Sequence, residues 1–138
     1  MSRDILRRPG SKRRHVLIIE DNPDGRESLR LLLSLLGHEV DTAADGAEGV
    51  EKALEVRPDV AIVDIGLPRL NGYEVARRIR AARGDTILLI ACTAYDHPDA
   101  RRRVMESGFD AHLVKPMEIS ELLPWLENGP RVESMAGC

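Results

Sequence analysis

Val60-Ala61-Ile62-Val63-Asp64, with Ile65-Gly66-Leu67-Pro68 behind it, decides how the chain folds. Four apolar residues run without a break and end in a carboxylate, followed by turn residues. Such a run reads as a strand buried on both faces, as in a parallel sheet. Asp64 then stands where a central strand leaves the core. In open α/β sheets, ligand sites lie just beyond the carboxyl ends of the strands. Three more runs share the pattern. Val16-Leu17-Ile18-Ile19 ends in Glu20-Asp21, Ile87-Leu88-Leu89-Ile90-Ala91 ends near Thr93, and Ala111-His112-Leu113-Val114 ends in Lys115-Pro116. The four strand ends offer three carboxylates, a hydroxyl and an ammonium.

Helical patterns lie between these runs. Asn22-Pro23 has the form of an N-cap with proline at the first helical position, and Leu29, Leu32, Leu33 and Leu36 mark one helix face that ends at Gly37. His38 to Ala43 is a weaker strand with polar interruptions, which suits a sheet edge. Ala47, Val50, Ala53 and Leu54 predict a second amphipathic helix, closed by Arg57-Pro58. Val75, Ala76 and Ile79 carry a third, ending near Gly84, and Pro98 opens a fourth that runs to Ser107-Gly108. Ile119, Leu122, Leu123 and Leu126 give the last helix. Pro124 within it predicts Ser120 as N-cap, which would keep the proline near the first turn. Five strands alternating with five helices predict an α/β fold: a flavodoxin-like (βα)5 doubly wound parallel sheet of strand order 2-1-3-4-5. Its switch point would bring Glu20, Asp21 and Asp64 to one crevice.

With 138 residues the chain has room for one domain with a substantial core. We divide it into a basic N-terminal arm (1–13), a folded domain (14–127) and a C-terminal tail (128–138). Only 3% of residues are aromatic, which disfavours a base-stacking surface, and a net charge of −3 argues against a general polyanion binder. Arg7-Arg8 and Lys12-Arg13-Arg14 make the arm basic, a feature able to steer an acidic partner but more simply read as a solvated tail. Cys92 and Cys138 do not form a disulfide framework and read as reduced thiols. No stretch approaches the ~20 apolar residues of a membrane span, and the N-terminus lacks a signal-peptide core. The expectation is a cytoplasmic protein that contacts neither membrane nor nucleic acid directly.

Three carboxylates held close together repel one another, so they either share protons or hold a cation. Oxygen ligands favour a hard ion such as Mg2+. Asp21 and Asp64 are the expected direct ligands, with Glu20 acting through water and the Gly66 carbonyl as a backbone ligand. A carboxylate is a competent nucleophile toward phosphorus. Lys115 could neutralise one phosphoryl oxygen and the Thr93 hydroxyl could donate to another, which are the positioning and charge terms that phosphoryl transfer needs.

Taken together, the chain resembles a response-regulator receiver domain of two-component signalling. The matching residues are Glu20-Asp21-Asn22, Val63-Asp64-Ile65-Gly66-Leu67-Pro68 with Asn71-Gly72-Tyr73-Glu74, Thr93-Ala94, and Gly108-Phe109-Asp110 leading to Lys115-Pro116. The form Asp64-Ile65-Gly66-Leu67-Pro68 is similar to receivers fused to hybrid histidine kinases, although no kinase segment is expected here. The resemblance implies that Asp64 accepts a phosphoryl group from a histidine kinase or a histidine phosphotransfer protein and that Lys115-Pro116 is cis; members of the family often pair as homodimers through the last two helices and strands, and the sequence leaves the oligomeric state of this chain open. It also implies a switch. The family usually carries Tyr or Phe three residues before the lysine; here that position is His112, which would retune the switch or take no part in it.

Tyr95 reads either as a cover over the phosphorylated site or as a surface tyrosine, and Arg101-Arg102-Arg103 as a solvated helix face. Two rival functions come from other classes. An aspartate-nucleophile, Mg-dependent phosphatase usually has a second acid two residues after the nucleophile, where Gly66 stands. A phosphorylation-independent interaction scaffold would have no need of the intact acidic, Asp, Thr and Lys positions.

Overall fold

Strands and helices alternate without exception along the computed structural model, which describes residues 12–94 and 96–131. The elements are β1 (His15–Ile19), α1 (Pro23–Leu35), β2 (Glu39–Ala43), α2 (Gly46–Glu55), β3 (Val60–Asp64), α3 (Gly72–Arg83), β4 (Leu88–Thr93), α4 (Pro98–Glu106), β5 (Ala111–Val114) and α5 (Ile119–Asn128). The five strands form one sheet in the order β2-β1-β3-β4-β5, and every pair is parallel. This is the predicted topology, with the switch point between β1 and β3. The register sets Ile19 beside Val63 and Asp64 beside Cys92, so the carboxyl ends of β1, β3 and β4 finish level with one another.

Side-chain alternation along the strands divides the core in two. Leu17, Ile19, Val63, Leu89 and Ala91 face α2 and α3, while Val16, Ile18, Val60, Ile62 and Ile90 face α1 and α5. Each large aliphatic side chain buried in this way contributes about 1.5–3 kcal/mol. The weak strand His38–Ala43 is the edge strand β2, as its polar residues imply; a sheet edge tolerates polar side chains because it is wetted on one side.

Three expectations are corrected. The apolar face of α2 is Gly46, Gly49, Val50 and Ala53, whereas Ala47 is exposed and Leu54 is 41% exposed. Glycine decides this face: a Cβ on Gly49 would lie 2.5 Å from Ile19 Cδ1, so the helix seats closer to the sheet than any side chain would allow. The N-cap of α5 is Glu118, not Ser120, and Pro124 lies inside the helix. The Glu121 carboxylate accepts the Glu118 N–H at 3.3 Å, which anchors the helix start two residues earlier. Arg14, grouped by sequence with the basic arm, is 5% exposed. Its Nε donates to Leu126 O at 2.7 Å and its Nη2 to Glu127 O at 2.9 Å, tying the entry of β1 to the end of α5. Arg7, Arg8, Tyr95 and Cys138 lie outside the described residues. Among the described residues, no helix is long and apolar enough to cross a membrane.

Candidate functional site

Each residue of the site is delivered by the end of a strand. β1 runs out of the core through Ile19, and Glu20 follows it, hydrogen-bonded through its N–H to Ala43 O at 3.1 Å. The Asn22 side chain then caps α1 by accepting from Asp24 N and Gly25 N, which turns the chain sharply and leaves Asp21 exposed at the bend. Glu20 is held from both sides. Asn22 N donates to its carboxylate at 3.2 Å, and Arg26 Nη1 donates to its main-chain carbonyl at 2.9 Å. On β3, Ile65 N donates to Cys92 O at 3.0 Å and so extends the pairing one residue past Asp64. Gly66 N donates to Asp64 Oδ1 at 3.0 Å.

Glu20, Asp21 and Asp64 each place a carboxylate oxygen within 4.8 Å of the other two. Among the described residues this is the one acidic grouping with the spacing of a metal site. Lys115 enters from the end of β5. Its N–H donates to Thr93 O at 2.7 Å, and the Lys115–Pro116 peptide is cis. Its Nζ lies 2.8 Å from Glu20 Oε1 and 3.5 Å from Asp64 Oδ1. Burial works to lower the Lys115 pKa, but the Glu20 hydrogen bond and the charges of Asp64 and Glu20 outweigh it, so the pKa is raised and the ammonium persists. A carboxylate trio facing one ammonium is a concentration of negative charge with hard oxygen donors, and that donor set fits Mg2+.

Thr93 is the last residue of β4 and is 4% exposed; in register it pairs with Val114. It shares with Leu89 and Ala91 the sheet face opposite Cys92. His112 pairs with Ala91 and alternates with Ala111 and Leu113, which puts it on the same face as Thr93, one pair further back. Gly66 is exposed, and a Cβ there would come 3.7 Å from Asp64 Oδ1.

Two residues take positioning roles that the sequence reading did not assign, although Gly72 was named in its motif. Gly72 opens α3 directly behind the Asp64 loop. A Cβ on it would sit 2.7 Å from Asp64 O and 2.7 Å from Ile65 Cα, so only glycine lets the helix back the Asp64 loop. A glycine immediately after an Asn cap, where most residues would serve, is the signal that could have found it. Arg26 has no such signal, because its reach to Glu20 O depends on the turn geometry.

Comparison with known proteins agrees with the geometry. The family described as "Response regulator receiver domain" matches residues 16–127. Response regulator MprA of Mycobacterium ulcerans is 39% identical over 108 residues, covering 78% of this chain and 46% of MprA. The chain therefore spans about half the length of the curated relatives it matches. Among solved structures, chemotaxis protein CheY4 of Vibrio cholerae superposes with a TM-score of 0.78 at 30% identity, covering 85% of this chain and 98% of CheY4. A putative response regulator of Chloroflexus aurantiacus gives a TM-score of 0.78 at 32% identity, covering 85% of this chain and 97% of the other.

Proposed function

The chain belongs to the response regulator receiver domain family of two-component systems, and from that premise we propose that Asp64 accepts a phosphoryl group from the phosphohistidine of a histidine kinase or histidine phosphotransfer protein. The single observation that carries this reading is the meeting of Glu20, Asp21 and Asp64 around Lys115 at the carboxyl edge of the sheet.

In the transfer, an Asp64 carboxylate oxygen attacks phosphorus, the P–N bond of the phosphohistidine breaks, and its electron pair stays on the imidazole nitrogen, which takes up a proton. Gly66 N and Lys115 Nζ both address Asp64 Oδ1, orienting the carboxylate for attack through its other oxygen. Lys115 offsets charge on the incoming phosphoryl oxygens, and the Thr93 hydroxyl donates to one of them once the group is in place. Asp21 and Asp64, the Gly66 carbonyl, and Glu20 through water would hold Mg2+, which when bound neutralises phosphoryl and carboxylate charge. Glycine at position 66 supplies no second acid to hydrolyse the product, which favours a switch over a turnover phosphatase.

The added charge biases a two-state equilibrium that Thr93 and His112 report, and the phosphorylated state binds a downstream partner with altered affinity. The smaller imidazole at 112 makes a weaker reporter than a phenol or phenyl ring. The test uses acetyl phosphate with Mg2+ on the parent and on Asp64→Asn, read by intact mass. The parent gains one phosphoryl group and the variant gains none. A parent that stays unmodified, or a variant that gains the group, overturns the reading. Beryllofluoride-induced amide shifts along β5, compared between parent and His112→Ala, decide whether His112 takes part.

A further inference from the structure

The three arginines in a row on α4 divide in their partners. Arg101 Nε lies 2.8 Å from Asp96 Oδ1 and Arg102 Nη2 lies 3.5 Å from Asp99 Oδ1, so these two charges are answered at the start of α4 itself. Arg103 instead sets its guanidinium over the ring of Tyr73, 4.0 Å from the ring centroid. Among the described residues, it is the one charged side chain of α4 that meets another helix or strand. The contact matters because α4 is thinly held. Val104 is its one buried residue, and Ala94, Asp96 and His97, on the way to it from Thr93, are exposed. The ring, by contrast, stands on a firm base. Tyr73 packs against the core cluster that contains Val75 and Val104, and it follows Gly72, whose missing Cβ lets α3 press against the main chain of Asp64. Arg103 and Tyr73 therefore link the least buried helix to the loop that carries the strand-end carboxylate. An exposed cation–π contact of this kind changes an equilibrium by about two- to fivefold.

We propose that Arg103 is a positioning residue: its contact with Tyr73 holds α4 in the arrangement in which Lys115 pairs with Glu20 and Asp64, and so sets how readily phosphorylation of Asp64 shifts α4. The inference rests on Asp64 being the phosphoacceptor. When the Thr93 hydroxyl turns to a phosphoryl oxygen, the pull passes along the exposed connection to the start of α4 at Pro98. Tyr73 stays with the core and the Asp64 loop, so the shift parts the guanidinium from the ring. A contact made in one state and lost in the other moves the equilibrium by its own strength and no more. Arginine suits the role because its planar guanidinium stacks on an aromatic face, which a lysine ammonium does less well.

The experiment titrates the full chain with beryllofluoride in Mg2+, a stand-in for the phosphoryl group, and reads half-saturation from amide shifts. Arg103→Gln should half-saturate at a concentration about two- to fivefold lower than the parent. Tyr73→Leu should do the same, and Tyr73→Phe, which keeps the ring, should match the parent. The double variant Arg103→Gln with Tyr73→Leu should gain no more than either single change, because both remove one contact. Arg102→Gln removes the same charge without touching the contact and should bring no gain. In the protein without beryllofluoride, α4 amides should exchange hydrogen about two- to fivefold faster in Arg103→Gln than in the parent. Unchanged or weaker beryllofluoride binding by Arg103→Gln, additive gains in the double variant, or an equal gain in Arg102→Gln overturns the proposal. Acetyl phosphate labelling of the parent, read by intact mass, separates this outcome from failure of the phosphoacceptor reading. A parent that takes no label sinks that reading and the switching role of Arg103 with it, and the exchange rates then decide whether the contact holds α4 at all.

Discussion

At the N-terminal edge of the sheet, Arg80 donates to Gly108 O at 2.6 Å, to Ile87 O at 2.8 Å and to Asp110 Oδ2 at 2.8 Å, while Asp110 also accepts Leu89 N at 2.9 Å. Arg83 is 8% exposed and donates to Pro58 O at 2.5 Å; burial, with Arg57 nearby, lowers its pKa. Arg14 holds the end of α5, and His15 N donates to Asp59. At the C-terminal edge, Glu20, Asp21 and Asp64 instead converge on one another with Lys115 among them. Both edges are charged. At the first, oppositely signed groups and fixed carbonyls answer each charge, so the charges hold α3, β4 and β5 together. At the second, like charges are held close by the backbone despite their repulsion. Like charge gathered at strand ends is an arrangement that a bound cation would neutralise.

The contrast breaks most readily at the first edge. Arg80→Ala takes the guanidinium from the Asp110 carboxylate and from the carbonyls of Gly84, Ile87 and Gly108, and should cost about 3 kcal/mol, as for removing one partner of a largely buried pair. Urea denaturation measures this; a loss within the range of surface pairs, about 1 kcal/mol or less, would show that the edge is not a clamp. Asp21→Asn should act in the opposite direction. Relieving like charge at an exposed position should stabilise the metal-free protein by about 0.5 kcal/mol, while Mg2+ affinity falls by about tenfold or more, the scale of losses for disturbed metal sites. Destabilisation, or unchanged Mg2+ binding in a calorimetric titration, would remove the distinction between the edges.

A third test lies where the strands end. Burial, the leading cause, pushes the Cys92 thiol up to about 12 from an ordinary 9.0. The folded thiol thus stays neutral where the unfolded one ionises, so Cys92 withdraws stability as pH rises above 9.0 toward 12. The ion pairs of Lys115 act higher, because its raised pKa keeps the ammonium charged beyond 10.5. Between pH 9.0 and 10.5 the decline in unfolding midpoint should therefore be shallower in Cys92→Ala than in the parent. Identical slopes would mean that the thiol is not desolvated.

The legible part of the molecule follows from local rules. Apolar runs that end in Glu20-Asp21, Asp64, Thr93 and Lys115 announce buried parallel strands and place reactive groups at their carboxyl ends. The Asn22-Pro23 pair gives the start of α1 for the same reason, since cap and proline act within one turn. What escaped notice carries no hydropathy signal. Gly49 and Gly72 act by lacking a side chain, and the distances that require this, 2.5 Å to Ile19 and 2.7 Å to Asp64 O, exist only after helix meets sheet. Arg14 reads as one more basic residue of an arm until α5 presents its carbonyls. Pro124 misplaced the start of α5 because the local preference for proline near a first turn was outweighed by the Glu118–Glu121 cap.

The sequence by itself determined the element order, the parallel sheet and the identity of the strand-end residues, because hydrophobic periodicity and turn chemistry act over a few neighbouring positions. Only the tertiary structure decided that Lys115 Nζ reaches both Glu20 and Asp64, that Arg80 ties α3 to the start of β5, and that a cleft stays open between α1 and Met117. Those relations join residues far apart in the chain, and they are set by how closely helices can approach the sheet, which no single stretch of sequence encodes.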